Sequence, residues 1–209
     1  MLHQRLAKLE AFGFRGATMG QMYLATRGLF APAQVQALLA PDYRGEVDPL
    51  RELPVDPEAS PFHATMRLEL RRYMLDQLLR DSDVFGMAHA LEIRVPLIDH
   101  KVVEIVARTS ADVVLEGGQK ALLRDALPQP LPSMCTERKK MGFTFPFDRW
   151  MRTSLRPDLE AELLSTRPGD PLAQPAVEAV WREFLAGRVH WSRPWSLYVV
   201  RRWARRWLA

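Results

Sequence analysis

The sequence predicts a mainly helical protein, and three observations carry the prediction. Apolar residues recur at helical spacing in several windows, alternating strand-like stretches are scarce, and sixteen prolines punctuate the gaps. With 47% hydrophobic and 26% charged residues, the 209-residue chain has enough apolar material for a sizeable core. Its single cysteine, Cys135, rules out an internal disulfide framework and fits a reducing, cytoplasmic setting. No run approaches the ~20 apolar residues of a membrane span. The start, MLHQRLAKLEAFGF, also lacks the apolar stretch of a secretory signal. The net charge of +4 comes largely from arginines near the C-terminus, so it permits an anionic ligand without demanding one.

Along the chain, QMYLATRGLFAPAQVQALLA reads as two short helices broken at Gly28, with Pro32 tolerated in the first turn of the second. Residues 41–61 hold five prolines and six acidic residues and read as a connector. A long helix follows from Phe62, with Leu68, Leu70, Met74, Leu75, Leu78 and Leu79 at helical spacing. The polar cluster RDSD is expected to stop it. Pro96 ends the next apolar segment, and Asp99 is placed to cap the helix that begins KVVEIVART. A turn at 116–118 precedes a helix over QKALLRDAL, and two helices follow RPGDPLAQP. In the last, Trp195, Val199, Trp203 and Trp207 fall four apart and are expected to face a core, with Arg201, Arg202, Arg205 and Arg206 facing water. Three stretches result: N-terminal helices and connector over 1–61, a central part over 62–152, and C-terminal helices of the same domain over 153–209.

Two groups of residues could carry chemistry. Glu92 and Arg94 stand two apart inside an apolar run, with Asp99 three residues past Pro96. Either Arg94 forms a buried or half-buried pair with Glu92 or Asp99 that clamps the turn, or it faces an anionic substrate. Spacing favours the clamp, because ion pairs commonly do this work without a ligand. The second group, Arg138, Lys139 and Lys140, precedes Gly142. Fixed cations there suit phosphate or pyrophosphate, and a glycine lets backbone approach a ligand. An ordinary solvated basic loop is the competing account. The tryptophan–arginine tail combines stacking with cations, but its spacing argues for a core face rather than nucleic acid. The histidines show no metal-ligand spacing, and no nucleophile-elbow, Walker-type or dinucleotide glycine motif occurs.

Three segments, in order, carry a family resemblance. MAHALEIRVPLIDH, Met87 to His100, resembles the Met-Ala-x-x-x-Glu-x-Arg-x-Pro-Phe-Leu-Asp segment of glutamine-hydrolysing asparagine synthetases. Gly118-Gln119-Lys120-Ala121-Leu122-Leu123-Arg124 resembles that family's Gly-x-Lys-x-x-Leu-Arg helix. RKKMGFTFP, from Arg138 to Pro146, resembles its Arg-x-Lys-x-Gly-Phe-x-x-Pro loop. The match runs from about Tyr73 to Arg152 and more loosely to both ends.

The resemblance implies ATP-dependent amide formation with Mg2+. An aspartate carboxylate attacks the α-phosphate of ATP, and ammonia released from glutamine then attacks the acyl-adenylate. Carried over by position, Lys140 matches the catalytic lysine at the reacting phosphate. Lys120, Arg138 and Lys139 match the pyrophosphate side, and Glu92, Arg94 and Asp99 match the scaffold beside the pocket. The resemblance also implies a fold: the helical C-terminal half of an α/β adenine-nucleotide-hydrolase-like synthetase domain of the PP-loop ATPase type. Its nucleotide-binding sheet is expected to be absent. Leu2 stands where the glutaminase half would need its cysteine, and no Ser-Gly-Gly-x-Asp-Ser loop occurs. The chain is therefore expected to be incomplete alone and to need a partner carrying the glutaminase and ATP-binding half. A non-catalytic helical module and a relative with another substrate, such as a peptide cyclase, remain the alternatives. Gly86 departs from the family, which usually places serine or threonine there.

Overall fold

In a computed structural model, residues 18–45, 58–118, 120–136, 142 and 145–208 are described. Among them the secondary structure is helical, apart from one isolated antiparallel bridge between Leu39 and Leu172. The helices are α1 (Met19–Arg27), α2 (Pro32–Leu38), α3, α4 (His100–Arg108), α5 (Ala111–Leu115), α6 (Ala121–Asp125), α7 (Ser133–Thr136), α8 (Phe147–Arg152), α9 (Arg156–Leu163), α10 (Gln174–Leu185) and α11 (Ser192–Trp207). α3 is one rod made of Pro61–Leu68, Glu69–Leu79 and Arg80–Met87, its middle wound as π-helix. Short 3-10 turns lie at Pro41–Tyr43 and Pro96–Ile98.

Local chemistry accounts for most of these ends. Thr18 opens α1 with a capping box: Gln21 N–H donates to Thr18 Oγ1 at 3.2 Å, and Thr18 N–H donates to Gln21 Oε1 at 2.9 Å. Pro32 occupies the first turn of α2, as its missing donor allows. Ser60 caps α3 through its hydroxyl and also bonds His63 Nδ1 at 2.8 Å. The other ring nitrogen of His63 reaches Thr109 O at 3.0 Å, tying the start of α3 to the end of α4. The stop expected at RDSD does not occur. Asp81 and Asp83 continue the rod as α-helix, because isolated aspartates tolerate a helix whose neighbouring turns are already formed.

The chain forms two compact units, Met1–Glu52 with Phe143–Ala209, and Leu53–Gly142. In the first, α2, α8, α9, α10 and α11 enclose Leu38, Met151, Leu159, Leu163, Leu172, Val177, Trp181, Phe184 and Leu197. Segments far apart in the chain are pinned at its edge. Ala40 N–H donates to Pro171 O at 2.9 Å and Ala173 N–H to Leu38 O at 2.8 Å. Arg193 Nε donates to Leu29 O at 2.9 Å, holding the α1–α2 connection beside the start of α11. Arg152 donates to Phe184 O and Leu185 O at 2.7 and 2.9 Å, satisfying carbonyls that end α10.

α11 corrects the expected orientation. Its buried residues are Pro194, Leu197, Arg201 and Ala204, while Val199, Trp203 and Trp207 are exposed and Trp195 is partly buried. The tail arginines are split as well: Arg201 is buried and Arg202, Arg205 and Arg206 are not. The helix carries two apolar rows, and the row with the smaller residues meets α9 and α10, where the packing is close.

The second unit is built differently. Its buried apolar residues among those described are Ala64, Leu68 and Ala121. Leu75, Val84, Phe85, Leu91, Ile93, Leu97, Ile105, Val113 and Leu115 are exposed, although α4 has a strong apolar face. Large apolar side chains exposed in this number set the second unit apart from the first, which buries its own core.

Candidate functional site

The segment over 86–99 is shaped by how α3 ends. Leu91 N–H donates back to Gly86 O at 3.0 Å and Ala90 N–H to Met87 O at 2.9 Å, with Ala90 at φ 54°. That is a Schellman turn whose left-handed position is held by alanine rather than glycine. It turns the chain so closely that a Cβ on Gly86 would stand 2.7 Å from Leu91 O. The absence of a hydroxyl at position 86 therefore has a steric counterpart: this backbone leaves no room for a side chain there.

After the turn, 91–95 runs without helix, and Glu92 and Arg94 project far enough together to pair. Arg94 Nε donates to Glu92 Oε1 at 3.1 Å and Nη2 to Glu92 Oε2 at 3.3 Å. The pair is exposed, 83% for Arg94 and 69% for Glu92, not buried or half-buried as expected. An ion pair in water contributes about 0–1 kcal/mol, so it cannot clamp the turn by itself. The bidentate geometry does preset the guanidinium plane, which matters if the segment is later covered. Asp99 is engaged elsewhere. Its Oδ1 accepts from Lys101 N–H at 2.9 Å and caps α4, and His100 Nδ1 stands 3.6 Å away.

Lys120 follows a second left-handed stretch. Gly117 and Gly118 have φ of 72° and 86°, and Lys120 itself has φ 60°. The glycines take that region without strain; the lysine does not. Lys120 starts α6, its carbonyl accepting from Arg124 N–H at 3.0 Å, and its side chain is exposed. Nearby, Arg124, Asp125, Leu127, Pro130, Leu131 and Thr136 line an open cleft of about 340 Å³. Arg138, Lys139 and Lys140 lie outside the described residues. Of the residues read from the sequence, the structure thus brings Glu92 and Arg94 together and gives Asp99 a capping task. No His, Cys, Asp and Glu group that could hold a metal ion occurs among the described residues.

Sequence reasoning missed the polar cluster of the first unit. Arg201 Nη1 donates to Glu162 O at 2.9 Å, Leu163 O at 2.7 Å and Ser165 O at 3.3 Å, and Nη2 donates to Gln174 Oε1 at 2.7 Å. Its Nε lies 2.9 Å from Asp170 Oδ2, an ionic contact in which the N–H is not aimed well enough for a hydrogen bond. Buried Glu162 meets Arg205 at 3.0 Å and Arg167 at 3.4 Å. Burial pushes the Arg201 pKa down, opposed by Asp170 and Glu162. These groups line a small cleft of about 120 Å³, but carboxylates and carbonyls already meet its cations, so the cluster is a lock on the C-terminus of α9. The signal was present: positions 194, 197, 201 and 204 repeat at three and four residues, a second helical face beside the tryptophan row.

The fold and the motif segments together define a helical protein, one unit with its own core and one with an uncovered apolar surface. The chain belongs to the asparagine synthase family, whose model matches residues 3–205. It is 26% identical to a putative asparagine synthetase [glutamine-hydrolyzing] of Mycobacterium bovis over 193 residues, which is 89% of this chain and 29% of the relative. Asparagine synthetase [glutamine-hydrolyzing] 1 of Bacillus subtilis is 29% identical over 89 residues, 42% of this chain and 14% of that protein. The chain therefore spans less than a third of these curated relatives. No solved structure matches it.

Proposed function

We propose that this chain supplies the helical, lysine-bearing side of an ATP-dependent, amide-forming site that is completed by polypeptide outside it. The observation that supports this most is the family match over 3–205, within which the three motif segments stand in order. In this reading the fold is the helical half of an α/β synthetase domain of the PP-loop ATPase type. The uncovered apolar surface of the second unit is where the rest of that domain packs.

The reaction is the conversion of aspartate to asparagine. The substrate carboxylate attacks the α-phosphate of ATP, pyrophosphate leaves, and ammonia displaces AMP from the acyl-adenylate. Lys140 stabilises the charge on the reacting phosphate, and Lys120, Arg138 and Lys139 face the departing pyrophosphate. Glu92, Arg94 and Asp99 shape the adjoining wall. The described residues offer Lys120 to a polyphosphate but no acidic cluster to Mg2+, so no step is assigned to a metal here.

The test mixes this chain with the part of the Mycobacterium bovis relative that it does not span and follows aspartate-dependent ATP–pyrophosphate exchange. Exchange is expected in the mixture alone, and Lys140→Ala should lower it by roughly 10²-fold or more. No exchange, or equal exchange with the variant, overturns the catalytic reading in favour of a non-catalytic interaction module. That second reading draws on the same uncovered surface. Exchange with another carboxylate and not with aspartate would assign a different substrate.

A further inference from the structure

α11 is apolar on two sides, and the structure accounts for one. Leu197, Ala204 and Pro194 pack inward. At about 100° per residue, Val199, Trp203, Trp207 and Val200 fall in one arc roughly 100° wide on the other side. All four are exposed, Trp203 by 54% and Trp207 by 66%. Single exposed apolar residues are ordinary, but a stripe this wide with two tryptophans on successive turns is the pattern of a helix that packs on both faces.

The charges beside the stripe indicate what packs there. Arg201 and Arg205 meet Asp170 and Glu162. Arg202 and Arg206, one turn apart along the edge of the stripe, have no carboxylate partner among the described residues. Their guanidinium groups stand over the rings of Tyr198 and Trp207, at 5.9 and 5.5 Å. Among the described residues, the arginine charges turned inward meet carboxylates and those bordering the exposed stripe do not.

We infer that this face of α11 is a docking surface for an acidic amphipathic helix, whose apolar residues seat against Trp203 and Trp207 and whose carboxylates meet Arg202 and Arg206. A second copy of the chain fits less well, because a two-fold contact would set these arginines against each other. Single-stranded nucleic acid would use the tryptophans as stacking platforms, yet Val199 and Val200 fill half the stripe and the surface is a convex helix rather than a groove. A membrane-surface helix keeps its opposite face in water, whereas that face of α11 is buried in protein.

The probe is a synthetic helix with leucines at three- and four-residue spacing flanked by glutamates, compared with its lysine-for-glutamate twin by fluorescence anisotropy on the full chain. The second unit also exposes apolar surface, so the readout is the difference between variants. The glutamate peptide should bind in a salt-sensitive way. Arg202→Glu with Arg206→Glu should weaken it at least about tenfold while strengthening the lysine twin, and Trp203→Ser with Trp207→Ser should weaken both. Unchanged circular dichroism confirms that these exposed substitutions leave the fold intact. Equal binding of the two peptides, or binding indifferent to the substitutions, overturns the inference. So does stronger, substitution-sensitive binding to phosphatidylglycerol vesicles or to oligothymidylate, or a dimer abolished by Arg202→Glu.

Discussion

Arg201 Nε lies 2.9 Å from Asp170 Oδ2, and the two side chains are 3% and 11% exposed. The same guanidinium supplies donors to three carbonyls that leave α9, so one cation serves as partner to a carboxylate and as cap to a helix. Removing the carboxylate strands the charge. Asp170→Ala should destabilise the first unit by about 3–5 kcal/mol, a large share of an ordinary domain's stability. Urea unfolding measures it, and a midpoint equal to that of the parent chain would mean that water already reaches the arginine.

A second consequence concerns the turn that ends α3. Ala90 holds a left-handed position that costs a non-glycine residue about 1–2 kcal/mol, so Ala90→Gly should stabilise the second unit by roughly 1 kcal/mol. Gly86→Ala should act oppositely, because its Cβ would meet a backbone oxygen at 2.7 Å that no rotamer change can move. Thermal unfolding of both variants checks the pair. Stabilisation by Gly86→Ala would show that the turn is not closed as described.

The two rows of α11 give a third contrast. Leu197→Ala removes atoms from the core and should cost about 2–5 kcal/mol, whereas Trp203→Ser should change stability by no more than about 0.5 kcal/mol. Chemical denaturation of the two variants decides which row is inside. A large loss from Trp203→Ser would restore the orientation that spacing suggests.

That contrast shows how far the sequence could be read. Helix ends were legible where a local group decides them: Pro32 in a first turn, and Asp99 capping α4. An ion pair at Arg94 was legible too, but not its partner: spacing left Glu92 and Asp99 open, and the extended run over 91–95 decides for Glu92. Burial was not legible at either place. Spacing identifies a row of α11 but not the neighbour that chooses between rows, and the exposure of Glu92 and Arg94 depends on what covers 86–99. Arg201 was misplaced for the same reason, since its carboxylate partner sits thirty-one residues away at Asp170.

His190, although largely exposed, is expected to make the first unit sensitive to pH. Burial pushes its pKa below the ordinary value near 6.5, and Asp148 opposes the shift only partly. The geometry agrees, since Nδ1 accepts from Ser192 N–H at 3.4 Å and stands 2.9 Å from Ser192 Oγ, an acceptor role that protonation removes. A base with a depressed folded pKa binds protons better when unfolded, so its contribution is complete above about pH 6.5 and is lost as pH falls through the folded pKa. Urea midpoints at pH 8, 7, 6 and 5 should therefore show the parent chain losing stability relative to His190→Gln below about pH 6.5. Parallel curves would mean that the imidazole is as solvated in the fold as in the unfolded chain.

The unequal cores of the two units yield the last expectation. α9, α10 and α11 bury Leu159, Leu163, Val177, Trp181, Phe184 and Leu197. α4, α5 and α6 contribute Ala121 as their buried apolar residue among those described. Local opening free energies follow buried apolar contact, so amides of the second unit should exchange sooner. Hydrogen exchange should give α9–α11 protection at least about tenfold above α4–α6, a difference of about 1.4 kcal/mol or more. Adding the part of the Mycobacterium bovis relative that this chain does not span should raise protection in α4–α6 and leave α9 and α10 unchanged. Protection equal in the two units before addition would mean that the apolar surface of the second unit is already covered, and that association of the chain with itself does the covering.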